Sequence, residues 1–331
     1  MRRGAIIQLA VFAAIAAAIA TATALLIPWL PVSASREAQR IHFVYWFTTA
    51  ICIAVFSVVV AVIAYSVWKF RARPDDDSDG PPIHGHTKLE IWWTAIPAVL
   101  VTAISIVSAI VLAQNSNAGS NPVKIGVLGR QFAWQFTYSN GQKLGYLEVP
   151  LHRKVELDIT SDDVIHSFWV PQFSQKQDAV PGAHNKLVIT PIKLGKFPVI
   201  CTELCGLGHS LMRSYATVVP QAQFATFLKN AGKQPAASPG QTAFDKYGCN
   251  SCHTLQAASA TGTLGPDLDK LKQYATQANR GTLPAFIKES IVNPGAYIQP
   301  GYQDQMPHTF GTQIPAGQLT QLVQYLAQNA K

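Results

Sequence analysis

Charge is scarce in this chain. Asp, Glu, Lys and Arg make up 13% of its 331 residues, against 48% hydrophobic. That balance disfavours an ordinary soluble protein and points to one that meets a membrane. The formal net charge is +8, but the excess is scattered and no Lys/Arg run occurs. The chain therefore lacks the electrostatic footprint of a nucleic-acid binder, and no nucleic-acid partner is expected. Internal repeats are also missing, which excludes a repeat array. There are three methionines. Met1 is the initiator, so a thioether ligand has to come from Met212 or Met306.

The apolar residues gather near the N-terminus. Ala5 to Leu30, Phe43 to Trp68 and Ile91 to Ala113 each approach or exceed the ~20 residues a helix needs to cross a bilayer. The first follows Arg2 and Arg3 and ends near Val32-Ser33-Ala34, so residues 1–34 read as a signal peptide or an N-terminal anchor, with cleavage favoured. Residues 35–117 read as a two-helix transmembrane hairpin. Lys69, Arg71, Arg73 and Lys88 lie between its helices, against Arg36 and Arg40 before them. Positive-inside bias puts that loop in the cytoplasm, and everything after about Gln114 on the other side. The acidic tract Asp75–Asp79 within the loop reads as solvated. Cys52, alone in an apolar run, reads as a small buried hydrophobe.

Residues 118–228 change character. Short β-prone runs, Val123–Val127, Phe132–Phe136, Val155–Ile159, Lys186–Ile189 and Tyr215–Val219, are separated by Gly, Pro, Asn and Asp, which predicts an all-β sandwich or barrel. Residues 229–240, rich in Ala, Pro, Gly, Ser and Lys, read as a linker. Residues 241–331 turn helical. Leu319, Leu322, Val323 and Leu326 fall at i, i+3, i+4 and i+7, one face of a C-terminal helix.

Two clusters carry chemistry. The first is Cys201-Thr-Glu203-Leu-Cys205-Gly-Leu-Gly-His209-Ser-Leu-Met212. Soft sulfur and imidazole donors favour copper over magnesium or calcium. Two cysteines can bridge a pair of copper ions, leaving a histidine and a methionine to finish their shells. A Cys201–Cys205 disulfide is the rival, in an oxidising compartment, but the neighbouring His209 and Met212 favour metal. The second is Cys249-Asn-Ser-Cys252-His253, the pattern for covalent haem c attachment. A redox dithiol is its rival, yet that leaves His253 unexplained and lacks a thioredoxin-like βαβ context. Met306, in Asp304-Gln-Met-Pro307, remains by elimination as the sixth iron ligand, with His308 competing. Met/His ligation raises a haem potential, which suits a donor to copper. Two one-electron centres on one membrane chain read as an electron relay.

On these motifs the chain resembles subunit II of haem–copper cytochrome c oxidases, in the form with a fused cytochrome c domain, over roughly residues 40–331. The resemblance implies a transmembrane hairpin, a cupredoxin-like Greek-key domain and a small all-α cytochrome c domain. It adds His166, in Asp163-Val-Ile-His166-Ser-Phe-Trp-Val-Pro171. By resemblance Cys201 and Cys205 bridge both coppers, His166 and Met212 complete one ion, and His209 with the Glu203 carbonyl completes the other. It implies a magnesium ion near Glu203 and Asp178; the bland reading of Asp178 is a turn-capping acid before Pro-Gly. Glu90 matches a glutamate at the mouth of a proton channel, or simply caps its helix. Phe132 and Trp134 match an aromatic electron path; many members carry tryptophan at the Phe132 position, so a route from a soluble donor is in doubt and a tethered haem fits better. Trp134 is alternatively a core aromatic.

The implied activity is electron transfer within a respiratory oxidase that reduces oxygen in subunit I and translocates protons. The implied partners are subunit I, other oxidase subunits, and an external cytochrome c or upstream reductase, in a bacterial inner membrane with the copper and haem domains on the periplasmic face. No stretch of apolar helices carries the histidines an oxygen site needs, so this chain is a subunit and not the whole enzyme. The alternatives are the electron-accepting module of a nitrogen-oxide reductase, and a non-enzymatic copper carrier.

Overall fold

The computed structural model describes residues 3–71, 82, 84–231, 238–258, 260–262 and 264–331. Arg73, the acidic tract Asp75–Asp79 and the middle of the expected linker lie outside the described residues. The chain divides into two compact units, residues 1–33 with 38–117, and residues 34–37 with 118–331.

The first unit holds three long helices, α1 (Arg3–Leu26), α2 (Arg36–Lys69) and α3 (Thr87–Asn115), each long and apolar enough to cross a membrane. Their side chains are mostly uncovered, as expected of helices whose solvent is lipid. Arg40 Nη1 donates to Asn115 Oδ1 at 3.1 Å, and Phe12 meets Trp68 edge-on at 6.2 Å. Cys52 departs from expectation: it sits on a face of α2 that the rest of the chain leaves exposed. At the start of α3 the His86 N–H donates to Glu90 Oε1 at 2.9 Å, while the Leu89 N–H donates to His86 Nδ1 at 3.2 Å. Glu90 thus makes a reciprocal cap, satisfying a main-chain donor at the helix start.

The second unit begins with a β domain. Its strands are β1 (Val123–Arg130), β2 (Ala133–Tyr138), β3 (Lys143–Leu144), β4 (Leu147–Pro150), β5 (Val155–Ser161), β6 (His166–Val170), β7 (Gln175–Ala179), β8 (Asn185–Ile189), β9 (Gly195–Cys201) and β10 (Arg213–Val219). They form two five-stranded sheets, ordered β3-β2-β1-β5-β8 and β4-β10-β9-β6-β7. Alternate residues of β5, Val155, Leu157 and Ile159, are fully buried, the period of two that a half-buried strand requires. They share one core with Trp134, Phe136, Phe168, Val170, Val199 and Val218, drawn from both sheets. Trp134 and Phe136 both meet Phe168 edge-on, at 5.5 and 6.2 Å, the geometry aromatic quadrupoles favour. Arg130 pairs with Ala133, so β1 and β2 are closed by the two residues Gln131 and Phe132. Phe132, read as strand from sequence, is in this turn.

Residues 34–37 pack with the β domain. Ser35 bridges to Pro191, and the Glu37 carboxylate, buried, accepts the Thr190 N–H at 2.7 Å and the Thr190 hydroxyl at 2.9 Å. The β domain ends in α4 (Gln221–Ala231).

A helical domain follows, with α5 (Pro239–Lys246), α6 (Cys249–Cys252), α7 (Leu271–Ala278), α8 (Leu283–Val292), α9 (Phe310–Gln313) and α10 (Ala316–Asn329), and a small ladder of β11 (Thr254–Leu255) with β12 (Ala260–Thr261). Leu319, Leu322, Val323 and Leu326 are all buried on α10, as their spacing predicts. They form a second core with Phe244, Leu271, Phe286 and Ile291.

Glu37→Ala leaves the buried Thr190 N–H without its acceptor. We expect a loss of about 1–3 kcal/mol, read as an earlier denaturation midpoint for the β domain of the full-length protein.

Candidate metal and haem sites

Three segments of the β domain converge at one end of the sandwich: the start of β6, the loop after β9, and the turn before β10. His166 opens β6 and is fully buried, its ring beside Trp134 with centroids 6.1 Å apart. Gly129 on β1 allows this, since a Cβ there would sit 3.0 Å from His166 Cδ2 and 3.2 Å from Trp134 Cζ3. Cys201 ends β9 and Cys205 follows in the loop; both are buried. Their sulfurs lie 3.9 Å apart. His166 Nδ1 is 3.9 Å from Cys201 Sγ, His209 Nδ1 is 3.5 Å from Cys205 Sγ, and Met212 Sδ is 3.9 Å from Cys205 Sγ. The Glu203 carbonyl oxygen is 3.4 Å from Cys201 Sγ, while its side chain is exposed. All six expected donors therefore meet. Among the described residues, His166, Cys201 and Cys205 are the group of His, Cys and carboxylate ligands whose donor atoms all lie within 4.8 Å of one another. Thiolate, thioether and imidazole donors in this closed arrangement fit copper.

Asp163, three residues before His166, is a functional residue that the motifs alone do not assign. Its Oδ1 lies 2.8 Å from His166 Nε2, so the other ring nitrogen, Nδ1, is turned toward the sulfurs. A carboxylate orienting a ligating histidine is a common supporting arrangement at metal sites. The Asp163 Oδ2 atom accepts the Gln131 N–H at 2.7 Å, and Gln131 Nε2 donates to the Cys205 carbonyl at 2.5 Å. The spacing Asp163-x-x-His166 was the signal available.

The electrostatics of the metal-free cluster follow from these contacts. Burial works against charge on His166, but Asp163 and Cys201 outweigh it and hold its pKa at about 9. Burial likewise opposes the Asp163 carboxylate, and its bonds to His166, Gln131 and Val164 bring it down to about 2. Burial resists ionisation of Cys201 too, yet His166 draws its thiol down to about 6. Burial and the adjacent Cys201 sulfur push Cys205 up to about 12. Without metal, Cys201 is the more readily ionised of the two sulfurs and Cys205 the one that holds its proton, which metal binding displaces.

Asp178 is not beside a turn. It lies on β7, where its Oδ1 accepts the Ser167 hydroxyl at 2.7 Å, and Ser167 adjoins His166. The turn-capping reading is thereby corrected: the acid is held by the neighbouring strand. Neither Asp178 nor the Glu203 carboxylate belongs to the cluster above.

In the helical domain, Gly248 (φ 69°) precedes the one-turn helix α6 that carries Cys249 and Cys252. The following His253 has Nδ1 2.8 Å from the Pro266 carbonyl oxygen, so Nδ1–H donates and Nε2 is left as the free lone pair. Burial lowers the His253 pKa, which favours that neutral ring. Gly265 must be glycine, because a Cβ there would lie 2.5 Å from the imidazole. Cys249, Cys252 and His253 line an apolar cleft with Phe286, Ile291, Tyr297 and Met306. This wall of thiols, one neutral imidazole, aromatics and a thioether fits a covalently held haem. His308 is exposed and paired with Asp304 at 2.9 Å.

Gln131, Phe132 and Leu211 of the β domain line the same cleft. Nearby, Arg130 Nη1 donates to the Lys246 carbonyl at 2.6 Å and Nη2 pairs with Asp162. A Cβ on Gly248 would sit 2.9 Å from Ala133 Cβ. The β turn thus joins the two sites, with Phe132 at the cleft and Trp134 against His166.

Three apolar helices, a cupredoxin-like domain with a soft-metal donor set and a helical haem-type domain define a membrane-bound electron-transfer subunit. Family models for cytochrome c oxidase subunit II match residues 21–111 (transmembrane domain) and 145–219 (periplasmic domain), and one for cytochrome c matches residues 237–330. The chain is 34% identical over 233 residues to cytochrome c oxidase subunit 2 of Synechocystis sp., covering 56% of this chain and 70% of that one. To the subunit of the same name in Alkalihalophilus pseudofirmus it is 32% identical over 275 residues, 77% of this chain and 80% of the other. To heme-copper oxidase subunit 2 of Aeropyrum pernix it is 33% identical over 195 residues, 53% and 83%. The chain belongs to the cytochrome c oxidase subunit II family, with a cytochrome c domain at its C-terminal end. It is a membrane protein with a periplasmic domain, one subunit of an oxidoreductase complex.

The raised His166 and the lowered Cys201 titrate in opposite senses. His166 contributes stability below about 6.5 and loses it as pH rises to about 9. Cys201 contributes above about 9 and loses it as pH falls to about 6. Across that window folded and unfolded chains bind equal protons at this pair, so its pH slope cancels. Cys201→Ser removes one side and, with it, part of what raises His166; Asp163 still holds the ring up, so denaturant titration of the metal-free protein should then show stability falling as pH rises above about 6.5.

Proposed function

We propose that this chain relays electrons from a haem c in residues 241–331 to a dicopper centre in residues 118–228, and on to the oxygen-reducing subunit I of a respiratory oxidase that translocates protons. The observation that carries this is the meeting of six donors, His166, Cys201, the Glu203 carbonyl, Cys205, His209 and Met212, in one cluster in which His166, both cysteines and Met212 are buried. Cys201 and Cys205, 3.9 Å apart, would bridge both ions; His166 with Met212 and His209 with the Glu203 carbonyl would complete them. When bound, these cofactors supply reversible one-electron chemistry. The protein contributes rigidity. The imidazole of His166 is locked by Asp163, Cys201 is fixed at a strand end with Cys205 in the loop that follows, and burial of both thiols excludes water.

Cys249 and Cys252 would attach the haem and His253 would bind its iron. Met306 is our sixth ligand: it lies in the cleft wall, whereas His308 is exposed and engaged by Asp304. Phe132, in the wall of the haem cleft, and Trp134, against His166, would be the aromatic contribution to the electron path. The tether keeps the haem domain at high effective concentration, on the order of millimolar for short flexible linkers. Glu90 would stand at the mouth of a proton channel in addition to capping α3. Asp178 and Glu203 would approach a magnesium ion at the boundary with subunit I. Residues 1–34 would be a cleaved signal or an anchor, and the complex would sit in a bacterial inner membrane with both redox domains periplasmic, fed by an external cytochrome c or upstream reductase.

Purified complex should contain two copper ions per chain with the spectrum of a mixed-valence pair. One copper or none defeats the dicopper reading. In the oxidised protein a thioether-to-iron band near the red edge of the visible spectrum should vanish in Met306→Leu; its retention rejects Met306. Copurification of a large multi-helix subunit containing haem supports the oxidase assignment, and Glu90→Gln with unchanged turnover leaves only the cap.

A further inference from the structure

The turn between β1 and β2 faces two ways. On one side Gln131 Nε2 donates to the Cys205 carbonyl at 2.5 Å, and the Gln131 N–H donates to Asp163 Oδ2 at 2.7 Å. On the other side Gln131 forms part of the wall of the cleft that holds Cys249, Cys252 and His253. We infer that the Gln131 side chain is the hydrogen-bonded bridge that couples the haem cleft to Cys205. This rests on the relay reading and deepens it.

Tunnelling through a protein is sustained best along covalent and hydrogen-bonded links and falls fastest across van der Waals gaps. From the cleft wall, Gln131 offers its own covalent chain, then one short hydrogen bond, then the main chain of Cys205 leading to its sulfur. Phe132 lies on the same turn but reaches the metal loop by contact alone, its ring beside Gly206 and Gly208. The loop is shaped to admit the amide. Gly206 has φ +131°, which side-chain-bearing residues rarely adopt, and a Cβ there would lie 2.8 Å from Gln131 Nε2. The transfer moves one electron from the reduced haem to the oxidised copper pair; no bond breaks, no proton moves, and Gln131 itself is neither oxidised nor reduced. It is a positioning and coupling residue.

The test uses full-length protein in its membrane complex. Gln131→Met keeps side-chain length and the cleft wall but removes the donor; Gln131→Asn, one methylene shorter, keeps an amide that no longer reaches. Both variants should show unchanged haem and copper bands, yet internal electron transfer after rapid photoreduction of the haem should slow severalfold. In the metal-free full-length chain, backbone hydrogen exchange across Cys205–Gly208 should quicken in both. Transfer at the wild-type rate with both centres present overturns the bridge. A slowdown accompanied by greater tryptic release of the helical domain also overturns it, because lost docking then accounts for the rate. Wild-type protein lacking either centre's spectrum overturns the relay reading, and the bridge falls with it.

Discussion

The geometry of the donor cluster depends on one carboxylate. Asp163 takes the imidazole N–H of His166 on one oxygen and the main-chain N–H of Gln131 on the other. Hydrogen bonds to a charged group are stronger than neutral ones, and this one orients a buried ring whose neighbours are sulfur. Through the same carboxylate, the turn that closes β1 and β2 is fixed relative to β6. The sheet supplies the rest: Cys201 is placed by the pairing of Phe168 with Cys201 across β6 and β9, so its position is set by ladder hydrogen bonds and not by a free loop.

The two cofactor-type sites use related logic with different materials. At His166 a carboxylate fixes the ring; at His253 a main-chain carbonyl does. The carboxylate favours a charged ring in the metal-free protein. The neutral carbonyl leaves burial to dominate, so His253 presents a free lone pair. Glycine serves both sites, at Gly129 beside His166 and at Gly265 beside His253, by letting backbone approach an imidazole that any Cβ would displace.

Most of the candidate donors were legible in the sequence because Cys201–Met212 and Cys249–His253 are continuous strings of rare residues in fixed local spacing; His166, 35 residues before Cys201, came only through the family resemblance, and Met306 by elimination. The C-terminal helix was legible for the same reason, its burial repeating every three or four residues. Strands β6, β7 and β9 were not. β6, His166–Val170, is buried at nearly every position and shows no alternation to read, while β7, Gln175–Ala179, is polar along its length and is held by its neighbour β6. The contact of Asp178 was hidden for that reason: Pro181-Gly182 signals a turn, but the carboxylate accepts from Ser167, eleven residues away on the paired strand β6. The bonds from Arg130 to Lys246 and from the Gln131 side chain to Cys205 carried no sequence signal, since both acceptors are main-chain oxygens.

Arg130 grips the Lys246 carbonyl at the C-terminal end of α5, where helical carbonyls lack internal partners and the helix dipole is negative. A handhold made of backbone is indifferent to which side chain occupies position 246. The surface there is free to drift in composition while the grip persists, so this part of the alignment of the β and helical domains is written into helix geometry and not into a matched pair of side chains.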